Sequence, residues 1–392
     1  MGGCCNKRGV LTVPYKRSHS LGLRKNSIFI DEFCKQDDYK KKYEFISILG
    51  NGGFGKVRLY RDKLAKNLKF AIKTIKKDFL NPHNIASLVE EVKILRELDH
   101  PNIVKYFETY EDDLYIHIVM EYIPGDNLFK VVTNRKYNQF NERNAAEIMK
   151  CLLKAIMFLH NMNIVHRDIK PENILFSLPG SYESLKLIDF GLSATKTQIK
   201  DKYRVGSPYY MAPEMINRNF TFKSDCWSIG VILFEMMTGK HPFDGKTQEE
   251  IFERIQRGEY DLHLLEKQKC SEEVKDLIKK LIVLNPPERL SVQKALEHPW
   301  LKIFVEKEKK LNTVIDKAII DSLKTFPNSN PLEKEIMFYL AKISNEKEIQ
   351  KLKLAFLTID KDNTGTIEIE EMFQIFEEMG IKREKVFLIV YF

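Results

Sequence analysis

The chain has 392 residues, room for two or three domains, and 63 basic against 55 acidic side chains give a modest charge of +8. Cys4, Cys5, Cys34, Cys151, Cys226 and Cys270 make no CxxC pair and no even framework, which argues for a reducing compartment without structural disulfides or zinc. No apolar run approaches the roughly 18 residues of a membrane span, and there is no secretory core segment.

Residues 1–42 lack apolar periodicity and read as a flexible arm. Lys7, Arg8, Lys16, Arg17, Arg24 and Lys25 all precede the first acid, Asp31. Such a block suits either plain solvation or an anionic surface. Met1-Gly2-Gly3-Cys4-Cys5-Asn6 resembles an acylation signal, with Gly2 exposed for myristate and Cys4 and Cys5 as palmitate acceptors. Asn6 departs from the preferred Ser or Thr. One acyl chain holds a membrane weakly, so the second acyl site and the basic arm together favour anchoring at the cytoplasmic face of a membrane, with a cytoplasmic pool. Ser18, Ser20 and Ser27 follow basic residues, and phosphate there would oppose that anchoring.

From Tyr43 to about residue 130 the pattern is strand-rich, with strands expected at 43–49, 56–60 and 69–73. One helix interrupts over 87–98, where Leu88, Val92, Leu95 and Leu98 recur at helical spacing. From about 140 to 300 the pattern is mostly helical, with long apolar stripes over 145–159, 224–238 and 272–284. The expected fold class is therefore α+β: a small β-rich lobe, a large helical lobe and a cleft between them. Beyond Leu301 the composition turns Lys/Glu-rich, and Ile315, Ile319, Leu323 and Phe326 share a helix face that Pro327 ends. A second amphipathic stretch aligns Ile349, Leu352, Phe356 and Ile359. The expected divisions are an arm over 1–42, a catalytic domain over 43–301, a helical junction over 302–345, a calcium-loop unit over 346–382 and an apolar tail over 383–392.

The chemistry-bearing motifs come in order. Gly50, Gly52 and Gly55 allow a tight turn whose amides approach phosphates. A dinucleotide site would need a helix straight after these glycines, whereas 56–60 alternates as a strand, so the loop is expected to cap a hairpin. Lys73 sits in a strand between apolar neighbours, and Glu91 on the 87–98 helix is its expected partner. Helix phase favours Glu91 over the adjacent Glu90. Such a pair holds an ammonium against the phosphates of ATP. Asp168 is placed to accept the proton of an attacking hydroxyl, and Lys170 to steady the moving phosphoryl group. Asn173 and Asp189 offer the hard oxygens that Mg²⁺ prefers.

Gly50–Val57, Ala71-Ile72-Lys73, His166–Asn173, Asp189-Phe190-Gly191 and Ala212-Pro213-Glu214, in this order, match the protein-kinase signature set. Residues 43–301 thus resemble a eukaryotic-type serine/threonine protein kinase, the Lys170 form of the loop being the Ser/Thr variant. The resemblance implies a two-lobed kinase fold and a nucleotide lid of Leu49, Gly50, Asn51, Gly52, Gly53, Phe54, Gly55, Lys56 and Val57. It implies Ala71 and Leu175, with Val57, around the adenine. It places the hinge at Glu121-Tyr122-Ile123 with Met120 at its entrance, and it implies a structural Glu214–Arg289 ion pair. Because Arg167 precedes Asp168, it also implies either an anion in the activation loop, for which Thr195, Thr197, Tyr203 and Ser207 are available, or no phosphate at all, as in many related calcium-regulated kinases. Asn127 stands where kinases selecting upstream arginine usually carry Glu. Asp126 and Glu172 remain, so a weakened preference for basic substrates is expected.

Residues 360–371 fit a twelve-residue EF-hand loop. Asp360, Asp362 and Thr364 take positions 1, 3 and 5, the Thr366 carbonyl position 7, Glu368 position 9 and Glu371 position 12, with Gly365 making the turn. An acidic surface turn is the bland alternative. Kinase domain, helix and EF-hand in this order, over 43–382, resemble the calcium-dependent protein kinases of plants and apicomplexan-type protists. That family's junction helix blocks the substrate cleft until calcium withdraws it, and residues 314–326 match its position. The family normally has four EF-hands where this chain has one, so a shortened EF-hand region is expected. The implied cofactors are ATP, Mg²⁺ and Ca²⁺, and the implied partners are protein substrates and an anionic membrane surface. No nucleic-acid partner is expected, and the chain is expected to be monomeric. The alternatives are a pseudokinase scaffold and a calcium-insensitive shortened kinase.

Overall fold

The computed structural model describes residues 28, 34–35, 38–52, 55–79, 82–133, 140–178, 180–195, 206–305 and 374. The small lobe is a six-stranded sheet. In chain order its strands are β1 (Cys34–Lys35), β2 (Tyr43–Gly52), β3 (Gly55–Asp62), β4 (Lys69–Lys76), β5 (Tyr106–Glu111) and β6 (Tyr115–Glu121). In space they run β1-β5-β6-β4-β3-β2, antiparallel except for the β1–β5 pair. The glycine-rich segment does cap a hairpin, since Gly52 and Gly55 are the last register partners of β2 and β3. Helix α1 (Pro82–Glu97) starts earlier than the apolar spacing alone indicates. It buries Leu88, Val92, Ile94 and Leu95, and Glu91 is carried into the interior with them.

The large lobe is built around α3 (Glu142–Asn161) and α5 (Phe222–Thr238), both almost wholly buried along their apolar faces. Asn141 caps α3 by accepting from the Asn144 amide at 2.8 Å. Thr221 and Ser224 form a capping box at the start of α5, which ends at Gly239 with φ 68°. Gly230 lets α8 (Glu272–Leu281) pack close, because a Cβ there would lie 2.7 Å from Leu281 Cβ. Helix α8 stops at Leu281, short of the expected residue 284. Short hairpin strands β7 (Ile174–Phe176) and β8 (Leu185–Leu187) pair antiparallel. The fold is two-lobed α+β, as expected.

The residue-42 arm boundary needs correction. Cys34–Lys35 joins the sheet edge, and Tyr39 is buried against Tyr60 at 5.7 Å and His117 at 4.1 Å. Glu108 of β5 accepts from Lys35, from Lys42 at 2.9 Å, from Tyr43 at 2.5 Å and from Tyr110 at 3.0 Å. Residues 34–42 are therefore part of the small lobe. The acylation signal (Gly2, Cys4, Cys5), the basic block, the 314–326 helix and the calcium loop (Asp360, Asp362, Thr364, Thr366, Glu368, Glu371) lie outside the described residues. Among the described residues, no helix is long and apolar enough to cross a membrane.

Candidate active site

Strand β4 alternates, and its register with β3 sets Val57 opposite Lys73, so both face the cleft. Lys73 is 6% exposed, and its Nζ lies 2.6 Å from Glu91 Oε1 and 3.4 Å from Asp189 Oδ1. Burial alone would lower the Lys73 pKa, but the two carboxylates override it and hold the ammonium above the ordinary lysine range. Partial burial pushes the Asp189 carboxyl up, and Lys73 outweighs that and holds it below the usual carboxylate range. Both groups are thus fixed in their charged forms at neutral pH. Glu90, the competing neighbour, is half-buried, and it is Glu91 that pairs with Lys73.

Asp189 has a positive φ of 62°, so its carboxylate turns toward the cleft while Phe190 packs inward, edge-on to His166 at 5.0 Å. The Ile188 amide donates to the Asn173 carbonyl at 2.9 Å, which sets the chain at Asp189 beside the chain at Asn173. The Asn173 amide donates to the Asp168 carbonyl at 2.9 Å and to Asp168 Oδ2 at 3.1 Å, leaving its own oxygen for a cation. A carboxylate and an amide oxygen from adjacent backbone are a donor set that suits Mg²⁺.

Asp168 is buried, with Lys170 donating to Oδ2 at 2.6 Å and Ser207 donating to Oδ1 at 2.9 Å. Lys170 also donates to Ser207 Oγ at 2.9 Å, closing a triangle. Ser207 was expected only as a modification candidate, so its place between Asp168 and Lys170 is new. Asp225 is the second residue that motif reading left without a role. Buried on α5, it accepts from the amides of His166 and Arg167 at 3.0 Å each and contacts His160 Nε2 at 2.9 Å. Burial pushes its carboxyl up, but the His160 contact outweighs this and keeps it low. Arg167, φ 69°, donates through Nε to the Leu192 carbonyl at 2.5 Å and lies 5.1 Å from the Phe220 ring. Of the four activation-loop candidates, Thr195 and Ser207 are described, and Thr197 and Tyr203 lie outside.

The nucleotide cleft is apolar where expected. Ala71 is buried opposite Met120 in the β4–β6 register, Ile123 is buried, and Val57 and Leu175 are half-buried. Glu121 Oε2 is held by Lys186 at 3.0 Å and by the Lys105 amide at 3.2 Å, so Glu121 offers a base only its backbone. Gly55 must be glycine, because a Cβ there would sit 2.2 Å from the Thr74 carbonyl oxygen. Gly50 has open space around it. Leu49 is exposed and Gly53 and Phe54 lie outside the described residues. The backbones of Asn51 and Gly52 complete β2. Lys56 needs correction as a cleft residue. It alternates with Val57 and lines an outer groove of the sheet with Tyr39, Arg58, Tyr60 and His117.

Away from the cleft, Arg289 is fully buried, its Nη1 2.7 Å from Glu214 Oε1 and its Nη2 3.0 Å from Oε2. Asn127 Oδ1 accepts from the Lys130 amide at 2.9 Å, capping helix α2 (Leu128–Thr133), and Asp126 pairs with Lys130 at 3.2 Å. Both are occupied locally. Glu172 is exposed beside the catalytic loop.

The family model of the protein kinase domain matches residues 43–301. Calcium-dependent protein kinase 3 of Plasmodium berghei is 36% identical over 372 residues, 94% of this chain and 65% of that protein. Calcium-dependent protein kinase 4 of Plasmodium falciparum is 36% identical over 349 residues, 87% of this chain and 65% of its own. Calcium-dependent protein kinase 25 of Arabidopsis thaliana is 35% identical over 360 residues, 91% of this chain and 68% of its own. The chain thus spans 65% of the length of the two Plasmodium relatives.

Proposed function

The chain belongs to the protein kinase family and, within it, to the calcium-dependent protein kinases, and from that premise we propose that it transfers the γ-phosphoryl group of ATP to serine or threonine hydroxyls of proteins under calcium control. The observation that carries this reading is the meeting of the buried Lys73–Glu91 pair with Asp189, whose carboxylate lies exposed at the cleft. In this reading Lys73, oriented by Glu91, binds the α- and β-phosphates. Asn173 and Asp189 would hold Mg²⁺, which would supply charge neutralisation at the phosphates when bound. Asp168 aligns the substrate hydroxyl and accepts its proton, while Lys170 stabilises charge on the transferring oxygens. Ser207 keeps Asp168 and Lys170 in register. Asp225 fixes the backbone from which they project.

Substrates carrying basic side chains fit the acids available. Asn127 and Asp126 are engaged with α2, so the attraction falls to Glu172. Calcium control rests on the 360–371 loop and the 314–326 helix, and membrane attachment on Gly2, Cys4, Cys5 and the basic arm. The experiment is phosphorylation of a basic serine peptide by the full chain across a calcium titration. Activation of tenfold or more supports control by this loop, and equal activity throughout removes it. Unchanged membrane partitioning of a Gly2→Ala variant would remove the anchoring.

A further inference from the structure

Strand β5 ends on a carboxylate that has no part in the chemistry above. Glu111 is 1% exposed, so its charge is held almost wholly out of water. A carboxylate buried in this way is costly unless hydrogen bonds and a countercharge meet it. Both do, at one oxygen. Glu111 Oε1 lies 2.6 Å from Lys77 Nζ and accepts from the Ile28 amide at 2.8 Å. The bonds join β5, an N-terminal segment and the residue that follows β4. The N-terminal segment is itself packed down. Cys34 belongs to the core cluster that holds Leu88, Val92 and Leu95 of α1, and Ile28 packs against that cluster.

Lys77 occupies the step between the two halves of the phosphate-binding pair. Strand β4, with Lys73, ends at Lys76, and a short 3₁₀ turn over Lys77–Phe79 leads toward α1, which carries Glu91. The Lys77 amide donates to the Leu114 carbonyl at 2.8 Å, so this residue is fastened through both backbone and side chain. Burial of Leu88, Val92 and Leu95 sets the rotation of α1. Apolar contact is non-directional, however, and resists a slide of the helix along the sheet less than a hydrogen bond does. The 2.6 Å contact between Lys73 and Glu91 needs their elements placed to within about 0.5 Å.

We propose that Glu111 is a positioning residue for ATP binding: by holding Lys77 it fixes where the chain leaves β4 for α1, and so how closely Glu91 approaches Lys73. This role rests on the kinase reading of the site. Glu111 acts through Glu91 and not on the nucleotide itself, and the Ile28 amide keeps the carboxylate in place.

The test uses the full chain with Mg²⁺ and Ca²⁺ and measures the Kd for Mg-ATP, the KM for a serine peptide and the melting temperature. The expected result for Glu111→Gln is a Kd raised about fivefold or more, with the peptide KM within about twofold of the wild type. Combining Glu111→Gln with Lys77→Met removes the uncompensated charge too, so the melting temperature recovers while the Kd stays raised. In a Glu91→Gln background Glu111→Gln adds nothing further to the Kd, because the pair it positions is already broken. A Kd within about twofold of the wild type in the folded single variant would overturn the role, as would a Kd that returns to normal together with the melting temperature. Effects of Glu111→Gln and Glu91→Gln that multiply would overturn it as well. Where Glu111→Gln alone does not fold, the double variant decides by the same Kd criterion. Wild-type protein that transfers no phosphoryl group refutes the kinase reading, whereas an active wild type with an unaltered Kd in the variants refutes the role of Glu111 alone.

Discussion

Replacing Glu214 by alanine removes the countercharge of a fully buried arginine. Arg289 Nη1 and Nη2 lose their 2.7 and 3.0 Å bonds, and Ser224 loses the acceptor it reaches at 2.8 Å. What remains is the Val283 carbonyl at 2.9 Å, the Lys223 carbonyl at 2.5 Å and the Trp227 face at 5.1 Å. Those partners satisfy donors but do not neutralise the charge. Breaking a buried pair by removing one member is destabilising by about 3–5 kcal/mol. For a lobe of this size each kcal/mol lowers the unfolding midpoint by about 2–4 °C, so a fall of roughly 6–20 °C is expected. Scanning calorimetry of the large-lobe transition is the assay. Glu44–Arg61 provides the control, since its 2.7 Å ion pair is as short but lies in solvent. Glu44→Ala is expected to leave the midpoint in place. Adding Arg289→Met to Glu214→Ala should recover part of the loss, because the uncompensated charge goes too. Equal shifts for the buried and exposed pairs, or a shift below about 2 °C for Glu214→Ala, would refute the reasoning.

Three further outcomes follow from other parts of the molecule. Ser207→Ala should lower kcat by roughly tenfold, the effect of about 1.4 kcal/mol, while Ser207→Thr keeps the hydroxyl and most of the activity; steady-state peptide kinetics decide between them. Gly55→Ala drives a Cβ into the Thr74 carbonyl, so it should raise the KM for ATP and lower the melting temperature together, and a variant with wild-type values for both would contradict the close approach. Glu108 is held down to about 2 from 4.5, burial being outweighed by bonds from Lys35, Tyr43 and Lys42. Because the folded value is depressed, its stabilising contribution is full above about pH 4.5 and is lost as pH falls toward 2. Acid titration of unfolding should therefore show a shallower decline in Glu108→Gln than in the wild type.

What the sequence made legible follows the range over which each signal acts. The glycine hairpin, the Lys73–Glu91 pair and the apolar faces of α3 and α5 are written in local periodicity, and the structure carries all of them. Helix phase was enough to select Glu91, because the core packing of Leu88, Val92 and Leu95 fixes the rotation of α1. Ser207 and Asp225 were not legible as parts of the catalytic loop, since their partners lie 37 to 59 residues away. The strand at Cys34–Lys35 is two residues long and carries no alternation to read. Its place is decided by Glu108 gathering lysines and tyrosines from distant segments. Lys56 illustrates the opposite error. A residue inside a motif was assigned to the cleft, although strand alternation next to Val57 turns it to the outer face.

The most direct test of the whole account is transfer of the γ-phosphoryl group from labelled ATP to a serine peptide, with and without Mg²⁺, by the wild type and by Asp168→Asn. The account predicts Mg²⁺-dependent incorporation on the serine hydroxyl, reduced by about 10²–10⁴-fold in the variant while ATP is still bound. Wild-type protein that binds ATP but transfers nothing in the presence of Mg²⁺ and Ca²⁺, or an Asp168→Asn variant as active as the wild type, would contradict it.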